Sequence, residues 1–391
     1  MIFSELKKSI EPYVYSEDDG MLRTALASII SNRLNLGDPI WVVLIGASSS
    51  GKSQVLRPLA LTDEKYIHRV DDLTENTLLS GINTGEGKED VSLLKRIGKS
   101  GILVVSDLTV IFSKSSETRN AILGQLRMVY DGEMTKYSGT KSEPIRWEGS
   151  LGMLAGSTPS IYGHFEEVAD MGERFIYYRM KEYDIEKATR ISLNRNVFGK
   201  DLDSKLAEMY SEYITEATLS AKETEIVVPE DIKEKIVQIS MFASNLRTPT
   251  SYDKYQKAID RIPVPEMPMR VALQLMGLAR GLIAMKLHDK GTKDLDESDM
   301  AIIEWCAYSL ANEEKRACLR TLAQSTESLT TAIVAEKIGL STEIARTSLQ
   351  HLSAIGIVTR SGISGSLTWE ISDHKTLERV RRVENIVIEE F

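Results

Sequence analysis

Residues 46–53 read "GASSSGKS", directly after the apolar run "PIWVVLI" at 39–45. Gly46, Gly51, Lys52 and Ser53 satisfy the spacing G-x-x-x-x-G-K-[ST], whose glycines let the backbone curl with its N–H groups turned inward around a β-phosphate. Ala47, Ser48, Ser49 and Ser50 supply that backbone, and Gln54 comes directly after Ser53. Lys52 is expected to reach the β- and γ-phosphates, and the Ser53 hydroxyl to ligate Mg²⁺. The flanks decide whether the match is more than a Gly/Ser-rich surface turn. Before the loop lies a buried-strand run. After it, "SQVLRPLAL" begins a helix whose N-terminal dipole favours an anion. Strand, loop and helix come in the order the chemistry requires, so residues 46–54 are predicted to bind ATP with Mg²⁺.

Such a loop needs an acid from a second strand. "GILVVSDLTVIF" (101–112) provides a Val/Ile/Leu run suited to a central parallel strand and ending at Asp107. Two registers stay open. Asp107 holds the metal and Leu108 stands where a glutamate base often follows, or Ser106 takes the metal position and Asp107 is the base. Either way an Asp-Glu pair is missing. Glu117 is one substitute in the linear order; the plainer reading makes it a helix surface charge.

Downstream, "SSETRNAILGQLRMVYDG" has a Ser/Glu start and apolar Ile122, Leu126 and Val129 on one helical face. "EMTKYSGTKSEPIRWEG" reads as a hairpin turning near Gly139, between Tyr137 and Trp147. Its Lys136, Lys141 and Arg146 are candidate contacts to a nucleic-acid backbone; an ordinary solvated hairpin is the competing reading. A third core strand, "SLGMLAGSTP" (150–159), ends at Ser157 and Thr158, with Thr158 expected to sense the γ-phosphate. "MGERFIYYRM" opens another strand and carries Arg174, a candidate arginine finger, weighed against pairing with Glu173 or another acid.

This ordered set over about 42–180 resembles the AAA+ ATPases, and among them the MCM-like ATPases of phages, plasmids and other mobile elements. The resemblance implies that Glu173, Arg174 and Phe175 stand where that family's Ser-Arg-Phe step carries its finger. It implies that the basic hairpin is a pore hairpin, and that the subunits form a homo-oligomeric ring, a hexamer being favoured. Farther on, "VQISMFASNLRTPTSY" and "PEMPMRVALQLMGLARGLIAMK" resemble the family's helical lid, which would make Arg270 the sensor-2 arginine and Arg247 a further basic candidate. Read without the family, 266–288 is an amphipathic helix after two prolines whose arginines face solvent. The sequence departs from the pattern in lacking the Asp-Glu pair. About 40 residues precede the loop, too few for the large DNA-binding domain of MCM helicases.

From about 313 the pattern changes. "EEKRACLRTLAQ", "TTAIVAEKIGL" and "STEIARTSLQHLSAIGIV" read as three helices, the last two joined by a tight Gly-Leu-Ser turn. "IVTRSGISGSLTWEI" then alternates as two strands. Three helices and a hairpin describe a winged helix, with Arg346, Ser348 and His351 on the helix that would enter a major groove and Arg360 at the wing base. Use of this module for protein contacts is the alternative. The end, "LERVRRVENIVIEEF", is a helix or a strand.

Acids outnumber bases 57 to 48, so the chain does not coat nucleic acid by bulk charge, and any DNA contact is local. No apolar run reaches the ~20 residues of a membrane helix, and the N-terminal residues are too polar for a signal peptide. The two cysteines, Cys306 and Cys318, are read as reduced thiols of a cytoplasmic protein. The expected fold class is α/β: a helical leader (1–38), a parallel-sheet AAA+ core (39–185), an all-α lid (186–312) and a winged helix (313–391). The expected function is an ATPase acting on DNA as a replication helicase or initiator of a mobile element. Its main rival is a nucleotide-switched regulator with little turnover. A small-molecule kinase fits poorly, because a winged helix serves no purpose in phosphorylating a metabolite.

Overall fold

The computed structural model describes residues 1–15, 17–80, 92–137, 144–164, 174–181, 184–198, 201–248, 252–253, 258–259, 263–362 and 367–386. It is an α/β protein built on a five-stranded parallel sheet with many helices. Its contacts divide it into two units, Met1–Ile232 with Leu273–Asp299, and Lys233–Ala272 with Met300–Phe391.

The first unit opens with α1 (Phe3–Ile10) and α2 (Gly20–Leu34), then β1 (Trp41–Ile45), α3 (Lys52–Ala60) and β2 (Ile67–Val70). Next come α4 (Leu93–Ile97), β3 (Ser100–Val105), α5 (Thr109–Phe112) and α6 (Ser116–Tyr130). A hairpin of β4 (Glu133–Lys136) and β5 (Ile145–Glu148) leads into β6 (Ser150–Ser157), and β7 (Ile176–Arg179) completes the sheet. The strand order is β2-β3-β6-β1-β7 with every pairing parallel. Every side chain of β1 is buried although successive ones point to opposite faces, so both faces at the centre of the sheet are covered. That is why β1, β3 and β6 read as unbroken apolar runs and not as alternating ones.

Helix ends follow local chemistry. The Ser115 side chain accepts the Thr118 N–H at the start of α6, with Glu117 in the first turn and Ile122, Leu123, Leu126 and Val129 buried beneath. The 1–38 segment is not a leader set apart from the core. α2 buries eleven of its fifteen residues, and the Asn32 carboxamide bonds both the N–H and the C=O of Ile40 just ahead of β1. The region 186–312 does not form a separate all-α domain either. The helices Ile185–Phe198 and Asp201–Lys222 and most of Met269–Lys290 belong with the sheet; most of Glu230–Arg247 and of Glu297–Tyr308 belong to the second unit.

In the second unit the helices Glu313–Ala323, Thr331–Ile338 and Thr342–Ala354 precede antiparallel strands Val358–Ser361 and Thr368–Ile371. A short strand, Leu329–Thr330, pairs with the second of these and makes a three-stranded sheet. The side chains of Asn312, Thr330 and Ser341 cap the three helices. Trp369 ties the sheet to the second helix by donating to Thr331 Oγ1 at 2.8 Å. The C-terminal segment forms a helix, His374–Val383.

Candidate active site

Five chain segments leave the C-terminal ends of the parallel strands side by side, the edge where ligands bind in open α/β sheets. The loop after β1 sits against the end of β6, with the Gly46 N–H donating to Ser157 O at 3.2 Å. The chain after β7 is hooked on by Met180 N–H to Ile45 O at 2.8 Å, and the chain after β3 by Leu108 N–H to Gly156 O at 2.7 Å. A Cβ at Gly46 would lie 2.6 Å from Ser50 Oγ and 2.7 Å from Met180 Sδ, so any larger residue there would have to push those side chains aside.

The loop turns through two left-handed residues, Ser49 (φ 63°) and Gly51 (φ 93°). Gly51 takes that conformation freely; Ser49 is strained by it, and such strain persists where the surroundings impose it. Ala47, Ser48 and Ser49 are exposed at the crest, while Ser50 is buried. The Lys52 ammonium lies over the loop, donating to Gly46 O and Ala47 O at 2.8 Å and to Ser50 Oγ at 3.2 Å. Burial lowers its pKa, and the charge of Asp107 works in the opposite direction. Ser53 is exposed in the first turn of α3, and Gln54 donates to Ser192 Oγ at 3.2 Å.

Asp107 lies two residues beyond β3. Its Oδ1 accepts from the Thr109 N–H at 2.9 Å and the Thr109 hydroxyl at 2.5 Å, which fixes the carboxylate against the start of α5. Ser106 is committed elsewhere: its hydroxyl donates to Asp71 Oδ1 at 2.7 Å. Asp107 is the group whose charge reaches Lys52. Leu108 is a buried apolar side chain, and Glu117 is exposed in the first turn of α6. Thr158 follows β6, which lies between β1 and β3, so it leaves the sheet between the loop and Asp107; its hydroxyl is 2.7 Å from Ser160 Oγ.

Several candidates are placed otherwise than expected. Arg174 is 1% exposed, and its guanidinium donates to both carboxylate oxygens of Asp131, at 2.7 and 2.8 Å, with its charge 5.2 Å from the centre of the Tyr130 ring. A finger that acts on a neighbouring subunit needs an exposed guanidinium, so pairing with an acid is the arrangement found; the acid is Asp131, and Glu173 lies outside the described residues. Lys136 is likewise committed. Its ammonium donates to Glu75 O, Asn76 Oδ1 and Leu79 O at 2.9 to 3.1 Å, using the three donors a lysine has. It braces the 75–79 segment through those bonds. Arg146 is exposed on the hairpin's outer face, opposite Thr135, next to the directly paired acids Glu133 and Glu148. Lys141 lies outside the described residues.

In the second unit, Arg270 reaches Glu266 at 3.7 Å and is partly exposed, while Arg247 is buried and holds the same carboxylate at 2.6 Å. Arg346 is half-buried on the helix Thr342–Ala354, whose first turn exposes Glu343 and Ile344. His351 is not a DNA-facing cation. Its ring is half-buried, and burial followed by the nearby Lys315 ammonium pulls its pKa down to about 4, so it is neutral at pH 7. Ser348 is buried.

The linear order missed β2 and the acid at its end, Asp71. The signal was short: Ile67 and Val70 around His68 and Arg69, then two aspartates. No protein-family model matches the chain, and no curated protein matches it either.

Proposed function

We propose that the chain is an ATPase with an AAA+ core and a C-terminal winged helix, acting on DNA as a replication helicase or initiator of a mobile element. The observation that carries the nucleotide reading is the Lys52 ammonium held over a glycine-and-serine loop, within the field of Asp107. A strand interposed between the loop strand and the acid strand supports the AAA+ assignment, because it sets Thr158 between them. Three helices with a three-stranded antiparallel sheet support the winged helix.

The donor set fits ATP–Mg²⁺. Backbone N–H groups of 47–52 with Lys52 would hold the β- and γ-phosphates; Ser53 and Asp107 Oδ2 would hold Mg²⁺, with phosphate oxygens and water completing its shell. Bound there, Mg²⁺ supplies neutralisation of charge on the phosphate oxygens. Thr158 would hydrogen-bond the γ-phosphate. Ring assembly, with a hexamer favoured, rests on the family resemblance.

A nucleotide-switched regulator is the second reading, favoured by the internal commitment of Arg174 and Lys136. ATP hydrolysis measured with and without single- and double-stranded DNA, for the wild type and Lys52→Ala, separates the two. Turnover that DNA raises several-fold and Lys52→Ala abolishes supports the DNA-driven ATPase. Tight ATP binding with negligible turnover on any DNA supports the switch.

A further inference from the structure

Hydrolysis at this site needs a carboxylate to orient the attacking water and take its proton, and the position after Asp107 is a buried leucine. We propose that Asp71, at the end of β2, is that carboxylate, held in place by Ser106. The inference rests on the ATPase reading above and names a residue of the same site.

Parallel pairing of β2 with β3 aligns Val70 with Val105, so the next residues on the two strands, Asp71 and Ser106, leave the sheet as neighbours. The Ser106 hydroxyl donates to Asp71 Oδ1 at 2.7 Å, and Arg69 Nε and Nη2 donate to the same oxygen at 3.0 Å. Three donors converge on one oxygen, which leaves Oδ2 to accept from water. Asp71 is open to solvent, with about three-fifths of its side chain exposed, as a group that meets a water must be. Ser106 adjoins Asp107 in sequence, so a carboxylate anchored to Ser106 lies beside the turn that carries Asp107. Among the described residues, the acids of neighbouring segments are placed differently. Asp107 Oδ1 caps the Thr109 turn, Asp72 pairs with Lys114 at 2.8 Å, and Glu117 lies exposed in the first turn of α6.

In the step itself, a water hydrogen-bonded to Asp71 Oδ2 attacks the γ-phosphorus as its proton passes to that oxygen. The bond from the γ-phosphorus to the bridging oxygen breaks, ADP departs with the electron pair, and the proton leaves Asp71 for phosphate or solvent. Ser106 acts as a positioning residue. The carboxylate comes from the neighbouring strand, which replaces an Asp-Glu pair on one strand by an Asp on each of two.

The test compares the wild type with Asp71→Asn, Asp71→Glu, Asp72→Asn and Ser106→Ala in steady-state ATP hydrolysis, alongside Mg²⁺-dependent binding of a fluorescent ATP analogue and thermal unfolding. Asparagine can still accept from Ser106, so Asp71→Asn is expected to unfold like the wild type. It should bind the analogue within about threefold and lose kcat by about 10²-fold or more with KM little changed. Asp71→Glu should recover part of kcat, Ser106→Ala should lower kcat with binding intact, and Asp72→Asn should match the wild type. An Asp71→Asn enzyme with kcat within about threefold of the wild type, or an equal loss in Asp72→Asn, overturns the assignment while leaving the ATPase reading standing. A wild type that binds the analogue but does not hydrolyse ATP overturns both.

Discussion

Asp131 clasps Arg174 through both carboxylate oxygens at the C-terminal end of α6, beside the ring of Tyr130. The clasp joins α6 to the segment entering β7, and Trp41 of β1 packs edge-on against the same tyrosine at 5.3 Å. A guanidinium buried this fully is held by its partner and not poised for another molecule.

Arg174→Ala should therefore act on stability. It removes a bidentate pair and a cation–π contact and leaves a cavity; because Asp131 is half-exposed and regains water, the loss should be about 2 kcal/mol and not the larger cost of a fully buried pair. Urea unfolding of Arg174→Ala and Arg174→Lys checks this, with lysine recovering only part because it lacks the planar guanidinium that lies over the Tyr130 ring. Mixing Arg174→Ala with Lys52→Ala subunits should restore no hydrolysis; restoration would identify a finger after all.

The strained crest of the 46–53 loop gives a second outcome. Gly51→Ala places a Cβ at φ 93° and should cost about 1–2 kcal/mol. Ser49→Gly relieves a left-handed serine but adds chain entropy to the unfolded state, so the net gain should be only about 0.5 kcal/mol. Thermal unfolding should rank Ser49→Gly at or above the wild type and Gly51→Ala below it, with ATP affinity falling in Gly51→Ala.

The hairpin lysine and arginine should part company. If the hairpin meets DNA, Arg146→Ala lowers affinity and reduces the salt slope of binding by about one unit, whereas Lys136→Ala leaves that slope unchanged. Lys136→Ala should instead raise protease cleavage in 74–80, because its three hydrogen bonds hold that segment. Fluorescence titration at several salt concentrations and limited proteolysis measure the two effects.

Acid should weaken the second unit. The folded-state pKa of His351 is about 4, below the usual 6.5, so between those values the unfolded chain binds a proton that the folded chain does not. Stability from this group is fully present above about pH 6.5 and is lost as pH falls toward 4. Lys315 has the same sign in another window: its pKa is lowered to about 8 by burial, so the folded state gains stability as pH rises from about 8 to 10.5. His351→Gln should flatten the acid limb of a denaturation-versus-pH curve, and Lys315→Met should flatten the alkaline one.

Where a residue's local conformation follows from its neighbours along the chain, the sequence was sufficient. Gly46 to Gln54 between an apolar run and a helix start, the Ser115 cap, the Gly-Leu-Ser turn at 339–341 and the two strands Val358–Ser361 and Thr368–Ile371 are local patterns, and local sterics and hydrogen bonds carry them into the fold. Partnership across the chain was decided only by the tertiary structure. Arg174 meets Asp131 forty-three residues earlier, Lys136 meets a segment about sixty residues earlier, and Asp71 meets Ser106 thirty-five residues later. Side-chain type states that a charge needs a partner when it is buried, but the strand order β2-β3-β6-β1-β7 states which partner is near. A charge cluster read along the chain therefore overstates what is available to a ligand, because bonds within the fold already engage Arg174 and Lys136.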